Sequence, residues 1–173
     1  MKKKLTVQKI TLIGILAALS LGIYALEAQI PTSSVAGIKL GLANVVTLCA
    51  MTFGGRVAAG CVLGIRIVLA TAFYGTFVSF MFSLCGGAAA YLAMCLLVGV
   101  FDKKQLWVVS VFGALAHNAG QLCVAAVLLS SAVVTLIPYL AISSVVTGVL
   151  TGLTAQRLWF SPLRRFSSVR EKN

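Results

Sequence analysis

Long apolar runs separated by short polar or glycine-containing gaps dominate the chain. A transmembrane helix needs about 20 mostly apolar residues. Runs that approach or reach this length cover residues 10–29, 36–53, 57–73, 78–100, 106–129 and 134–157. The second and third runs are short and contain glycine, so the sequence defines their bounds least well. This pattern predicts an all-α, polytopic membrane protein with six transmembrane helices.

The composition supports a membrane domain over a soluble one. Hydrophobic residues make up 60% of the chain and the mean hydropathy is +1.05, whereas soluble domains are about 45–50% apolar. The acidic residues are Glu27, Asp102 and Glu171 alone, too few to help cover a soluble surface. We predict a single six-helix transmembrane domain over residues 1–163, followed by a basic cytoplasmic tail over residues 164–173.

The basic residues predict how the chain is oriented. The net charge is +11, and most of the lysines and arginines lie at the chain ends or in the gaps before runs three and five. Cytoplasmic loops of membrane proteins carry such an excess of positive charge, so both termini are predicted to be cytoplasmic. No basic face with interleaved aromatic residues is present, which argues against nucleic-acid binding.

The cysteines indicate neither disulfides nor a metal site. They number five, lie inside apolar runs and show no CxxC or cysteine–histidine spacing: Cys49, Cys61, Cys85, Cys95 and Cys123. We interpret them as small packing residues, and we expect no metal and no cofactor.

Two basic residues depart from the loop pattern. Arg66 lies ten residues beyond Arg56, about 15 Å into the membrane at the rise of an α-helix. A charge at that depth usually faces a partner or a cavity. Arg66 either pairs with Glu27 near the outer end of the first run or binds an anionic ligand through its guanidinium group. Lys39, at the outer end of the second run, either attracts such a ligand from outside or anchors its helix at the interface.

The segment ALAHNAGQLCVAA (114–126) places three polar side chains on one face of the fifth helix, because residues three and four apart are neighbours. Unsatisfied polar groups are costly in lipid, so this face should look inward. The face either lines a binding site or bonds to neighbouring helices. The predicted binding residues are Arg66, His117, Asn118, Gln121, Lys39 and Asn44, with Tyr74 and Thr76 as weaker candidates at the wall and mouth.

Small residues recur at helical spacing in two places. Such stripes let helices approach closely, within the chain or with a membrane partner, and we favour packing within the chain. The stripes are Gly14, Ala18 and Gly22 in the first run, and Ser144, Gly148 and Gly152 in the sixth.

Three motifs in the same order resemble one family over residues 8–157. They are AGIKLGLANVVTL (36–48), RIVLATAFYGTF (66–77) and AHNAGQL (116–122). The family is catalogued both as the Gx transporter family and as heptaprenyl diphosphate synthase component I. It is grouped with the substrate-binding S components of energy-coupling factor (ECF) transporters, which are similar six-helix proteins of the bacterial cytoplasmic membrane.

The resemblance implies a mechanism and partners. S components bind a vitamin or related small molecule near the outer face, then dock on a transmembrane coupling protein driven by two cytoplasmic ATPases. Docking uses small residues of the first helix, here Gly14, Ala18 and Gly22. We therefore expect a membrane transport component that binds an anionic small molecule such as a flavin, a vitamin or an isoprenoid-related diphosphate.

The alternative is a non-catalytic membrane accessory subunit of heptaprenyl diphosphate synthase. Catalysis by this chain itself is not expected. Prenyl-chain elongation needs clustered aspartates to hold magnesium, and Asp102 is the chain's only aspartate. The chain also has no GxxxxGK[ST] motif for ATP hydrolysis.

Overall fold

The computed structural model describes residues 7–27, 29, 39, 41–74, 76–129 and 137–161. The predicted tail 164–173 lies outside these residues. Within them the chain forms six α-helices and no strand. The helices are α1 Val7–Glu27, α2 Asn44–Gly54, α3 Arg56–Tyr74, α4 Phe77–Leu97, α5 Leu106–Leu129 and α6 Ile137–Phe160, and a short 3₁₀ helix, Lys103–Gln105, precedes α5.

The all-α, polytopic fold is confirmed. Helices α1, α3, α4, α5 and α6 are each long and apolar enough to cross a membrane, as the hydropathy pattern predicted. The helix α2 has only 11 residues, about 16 Å at the rise of an α-helix, which is too short for a hydrocarbon layer of about 30 Å.

The prediction that the second spanning helix starts at residue 36 is therefore wrong. Gly41 has a φ of +80°, a left-handed conformation that interrupts a helix and favours glycine. The buried carboxylate of Glu27 also accepts hydrogen bonds from the backbone N–H groups of Gly41 and Leu42. Residues 41–43 consequently form a turn beside the end of α1, and α2 begins only at Asn44.

The helix α5 lies between α4 and α6 and packs along both. Glycines allow these close approaches. A Cβ atom at Gly120 would lie 2.6 Å from the carbonyl oxygen of Cys85, and one at Gly148 would lie 2.6 Å from the Cα atom of Val111. Real Cβ atoms do not approach backbone this closely, so larger residues would separate the helices.

The two small-residue stripes behave differently. The stripe on α6 packs within the chain as predicted, since a Cβ at Gly152 would collide with the Cα of Trp107 on α5. The α1 stripe faces outward: Gly14, Ala18 and Gly22 are exposed, and among the described residues no atom of another helix lies within 4 Å of a Cβ built at either glycine. The prediction of packing within the chain is wrong for α1.

All five cysteines have free thiols. Cys49 is buried and Cys95 is half-buried, which fits a packing role, but Cys61, Cys85 and Cys123 are exposed on the outer surface of the bundle. For those three the predicted packing role within the chain is wrong.

Basic side chains gather at one end of the bundle, which we call the basic end. The ammonium group of Lys103 lies 5.4 Å from the ring centroid of Trp159 near the end of α6. A Cβ at Gly99 would lie 3.5 Å from Nη2 of Arg56, at the start of α3. The loop after α4 and the starts of α3 and α5 thus meet here. That this end is cytoplasmic stays a prediction.

Candidate functional site

A small polar cavity lies where α1, α3, α4 and α5 meet the segment around residues 39–41. Its volume is about 10 Å³, roughly the space that one water molecule needs. The lining residues are Tyr24, Glu27, Lys39, Gly41, Arg66, Ser83, His117 and Gln121. Titratable and amide side chains thus converge on one point inside a mostly apolar bundle.

Arg66 is the most unusual member of this cavity. Its side chain is 3% exposed, and its Nε and Nη2 atoms have no hydrogen-bond partner within the described part of the chain. The guanidinium group approaches α4 at Gly87, where a Cβ would lie 3.4 Å from Nη2. A buried charge whose donors are unpaired costs several kcal/mol. These donors are therefore suited to an acceptor that enters the cavity.

Glu27 attracts Arg66 electrostatically and partly offsets its charge. Neither Nε nor Nη2 of Arg66 is bonded to it, and its carboxylate accepts hydrogen bonds from Gly41 and Leu42 N–H groups. The Arg66–Glu27 pair considered from the sequence is therefore not made through these two nitrogens. With Lys39 and Arg66 against one carboxylate, the cavity lining keeps an excess positive charge.

Lys39 joins the cavity to the segment before α2. Its backbone N–H donates to Oε1 of Gln121 at 3.3 Å, and its ammonium group lies 3.3 Å from the ring centroid of Tyr24. The Tyr24 hydroxyl in turn lies 3.2 Å from Oγ of Ser79 on α4. A cation over an aromatic face is an attractive arrangement, so Lys39 is held against the cavity rather than extended away from it.

The imidazole of His117 lies between two glycines. A Cβ at Gly41 would lie 2.9 Å from its Cδ2 atom, and a Cβ at Gly86 would lie 2.9 Å from its Cε1 atom. The amide nitrogen of Asn44 lies at the same 2.9 Å from the Gly41 position. Both this nitrogen and Nδ1 of His117 have no hydrogen-bond partner among the described residues.

Not all of the predicted binding residues share this cavity. Lys39, Arg66, His117 and Gln121 line it, and Asn44 borders it. Their binding roles stay predictions.

Asn118 is buried but turns towards α6. Its Nδ2 atom donates to the carbonyl of Leu140 at 3.1 Å and to Oγ of Ser144 at 2.7 Å, away from the cavity. Thr76 is exposed and caps α4 by accepting a hydrogen bond from the N–H of Ser79. The side chain of Tyr74 lies outside the described residues.

Sequence reasoning missed three lining residues. Tyr24 lies three residues before Glu27 on α1, and that polar pair at helical spacing was a usable signal. Ser83 and Gly41 gave no such signal, because serine and glycine are common in membrane helices.

Comparison with known proteins connects the site to a family. The family model described as heptaprenyl diphosphate synthase component I matches residues 16–158. The chain belongs to this family. The match covers the cavity from Tyr24 to Gln121, and it supports the family resemblance noted from the three motifs. Comparison of this member of the component I family with curated proteins and with solved structures gave no match.

Proposed function

We propose that this protein is a non-catalytic membrane component of heptaprenyl diphosphate synthesis that binds an anionic group in the polar cavity. Family membership supports the first half of the proposal. The single aspartate of the chain, Asp102, supports a non-catalytic role, because prenyl transfer needs several carboxylates around magnesium. The reacting carboxylates then belong to a separate, soluble subunit.

The unpaired donors of Arg66 carry the second half of the proposal. Within the described residues, Nε and Nη2 of Arg66 and Nδ1 of His117 all lack hydrogen-bond partners in a buried cavity. A guanidinium group can hold a phosphate through two parallel hydrogen bonds. A diphosphate group, which carries charge and many acceptor oxygens, satisfies such donors better than a neutral ligand.

The cavity must open to admit a ligand of this kind. Its volume of about 10 Å³ is far below the 300–1,000 Å³ of usual small-molecule sites. The segment around Lys39 and Gly41 is fastened by hydrogen bonds to Gln121 and Glu27. Releasing these two bonds is the smallest rearrangement that would enlarge the cavity.

A transport role is the second candidate, because of the outward stripe on α1. In the part of the chain that the structure describes, no other helix lies within 4 Å of a Cβ built at Gly14 or Gly22. That leaves Gly14, Ala18 and Gly22 free to dock on a transmembrane coupling protein with two cytoplasmic ATPases, as in ECF transporters. In that role the cavity would hold an anionic substrate such as a flavin or vitamin taken from the outer face.

The test of anion binding compares Arg66→Gln with Arg157→Gln, an exposed arginine near the basic end. Titration of the detergent-purified protein with inorganic pyrophosphate measures the affinity. We expect Arg66→Gln to weaken binding about 100-fold, because hydrogen bonds to a charged group contribute up to about 3 kcal/mol. Arg157→Gln should bind like the wild type. Equal affinity in both variants would contradict the assigned site.

A separate test distinguishes the two candidates. Adding the purified protein to a soluble prenyl diphosphate synthase should increase chain elongation if it is a synthase component. If elongation is unchanged, and the protein instead co-purifies with ATPase subunits in a complex that a bulky Gly22→Leu variant disrupts, the transport role replaces the synthase role.

A further inference from the structure

A second, apolar groove lies on the outer surface between α4 and α5. Its volume is about 410 Å³, much larger than that of the polar cavity. The groove is lined by Leu96 and Leu97 of α4, by Phe112 and Leu115 of α5, and by alanines that include Ala116 and Ala119. The lining offers no charged group, so an occupant of the groove itself must be hydrocarbon.

The groove is separate from the polar cavity and faces the surroundings of the bundle. Leu96 is 75% exposed and Phe112 is 49% exposed, whereas His117 and Gln121 on the same α5 are at most 3% exposed. The helix α5 thus turns its polar residues inward and its groove residues outward. In a bilayer, this outward face meets lipid chains.

The two ends of the groove differ. On α5 its last lining residue is Ala119, next to Gly120, where a Cβ would be only 2.6 Å from the Cys85 carbonyl oxygen. At the other end, Leu96 and Leu97 are the last residues of α4, so the groove reaches the basic end. Along α5 the lining extends from Phe112 to Ala119, about 10 Å at the rise of an α-helix, which is about a third of the hydrocarbon layer.

Two basic side chains lie near the end of α4, in the same region as the exposed Asp102. Lys104 is exposed just before α5, and the guanidinium group of Arg56 lies beside Gly99, two residues after α4 ends. Lys103 is directed elsewhere, over the ring of Trp159. Basic residues between helices at a membrane surface attract lipid phosphates, by about 1 kcal/mol for each residue.

We propose that this groove binds one acyl chain of an anionic phospholipid, whose phosphate lies against Arg56 and Lys104. The end of the groove at Ala119 sets how deep the acyl chain reaches. The charges at the basic end select the headgroup. The bilayer supplies this lipid in excess, which favours it over any scarcer amphiphile. The site does not depend on the proposed function of the polar cavity.

The groove is tested by filling it. The full-length protein is placed in nanodiscs that contain equal amounts of phosphatidylglycerol and phosphatidylcholine. Native mass spectrometry then counts the lipids that stay bound to the protein after it is released from the nanodisc. We expect the wild type to retain phosphatidylglycerol, and Ala119→Leu to lose it. Ala141→Leu, at an exposed position on α6, should retain it. Equal retention by Ala119→Leu and the wild type would overturn the proposal.

The headgroup is tested without touching the helix packing. We expect Arg56→Gln and Lys104→Gln each to lower the preference for phosphatidylglycerol about fivefold, the change that corresponds to about 1 kcal/mol. Lys103→Gln is the matched control and should leave the preference unchanged. A wild type that retains both lipids equally would refute the anionic headgroup, whatever Ala119→Leu does.

Discussion

Two buried polar regions on α5 are built from similar residues but are bonded differently. In the seam between α5 and α6, Nδ2 of Asn118 lies 2.7 Å from Oγ of Ser144, and Oγ of Ser110 lies 2.8 Å from Oγ1 of Thr151. In the polar cavity, Nε and Nη2 of Arg66 have no hydrogen-bond partner among the described residues. The two regions thus differ in how their buried groups are paired more than in their residue types.

The seam is not perfectly satisfied, and the exception is informative. The Oδ1 atom of Asn118 has no hydrogen-bond partner within the described ranges. It is a neutral acceptor, however, and unpaired acceptors are tolerated more often than unpaired donors. The cavity instead leaves donors unpaired, some of them on a charged guanidinium group. The difference between the regions is therefore one of charge as well as of number.

The largest effect should come from opening the seam. Gly148→Leu would push a side chain into the backbone of Val111, where even a Cβ has only 2.6 Å. Overpacking of this kind costs about 1–3 kcal/mol or more, so we expect a strongly lowered melting temperature in detergent. Gly64→Leu is the control, because no atom of the described residues around it lies within 4 Å of a Cβ there. A similar loss in both variants would mean that the seam is not the tighter contact.

A change of charge in the cavity should act on binding. Glu27→Gln removes the negative charge that partly offsets Arg66 and Lys39. We expect pyrophosphate to bind roughly tenfold more tightly, the scale that one nearby charge contributes in a partly buried site. Isothermal titration of the purified variant measures this change. Weaker binding would mean that the hydrogen bonds of Glu27 to the segment before α2 matter more than its charge.

A smaller effect is expected from removing one bond of the seam. Asn118→Leu keeps the volume but loses the hydrogen bonds to Leu140 and Ser144. Such bonds between membrane helices contribute about 0.6 kcal/mol on average and at most about 1.7 kcal/mol. Unfolding in mixed micelles should show a loss within that range, while pyrophosphate affinity stays unchanged. Cys123→Leu, at an exposed position of the same helix, serves as the control.

The smallest expected effect, that of Arg66→Gln on stability, best distinguishes the polar cavity from the seam. Arg66→Gln should leave the free energy of unfolding unchanged or slightly higher, because it removes a buried charge whose donors are unpaired. Thermal unfolding of the ligand-free protein measures it. A loss comparable with that of Asn118→Leu would assign Arg66 to packing and would count against its role in binding.

The sequence predicted the helices better than their contacts. Hydropathy located α1 within three residues at each end, since the run 10–29 became Val7–Glu27. It misplaced the start of α2, because Gly41 and its neighbours are as apolar as a helix interior. The interruption there depends on the conformation of Gly41 and on hydrogen bonds from a distant carboxylate, Glu27, and neither is visible in hydropathy.

The site was predicted in part for a similar reason. Helical spacing placed His117, Asn118 and Gln121 on one inward face, and all are buried. Every helix is apolar on most sides, however, so the pattern could not tell which neighbour each side chain meets. The side chain of Asn118, predicted to line the binding site, therefore bonds to α6 instead of lining the cavity. The prediction for the α1 stripe was wrong for the same reason, because small residues permit close helix contact but do not determine which helix makes it.

The short helix α2 has an electrical consequence. Its 11 residues extend only about 16 Å, so with its C-terminal end at the membrane surface a ligand charge at its N-terminal end would lie about halfway through the hydrocarbon layer. A charge that crosses the whole membrane potential changes in energy by about 2.3 kcal/mol per 100 mV, and half of that path gives about half of that energy. Binding of an anion at this depth should therefore respond to voltage in intact membranes.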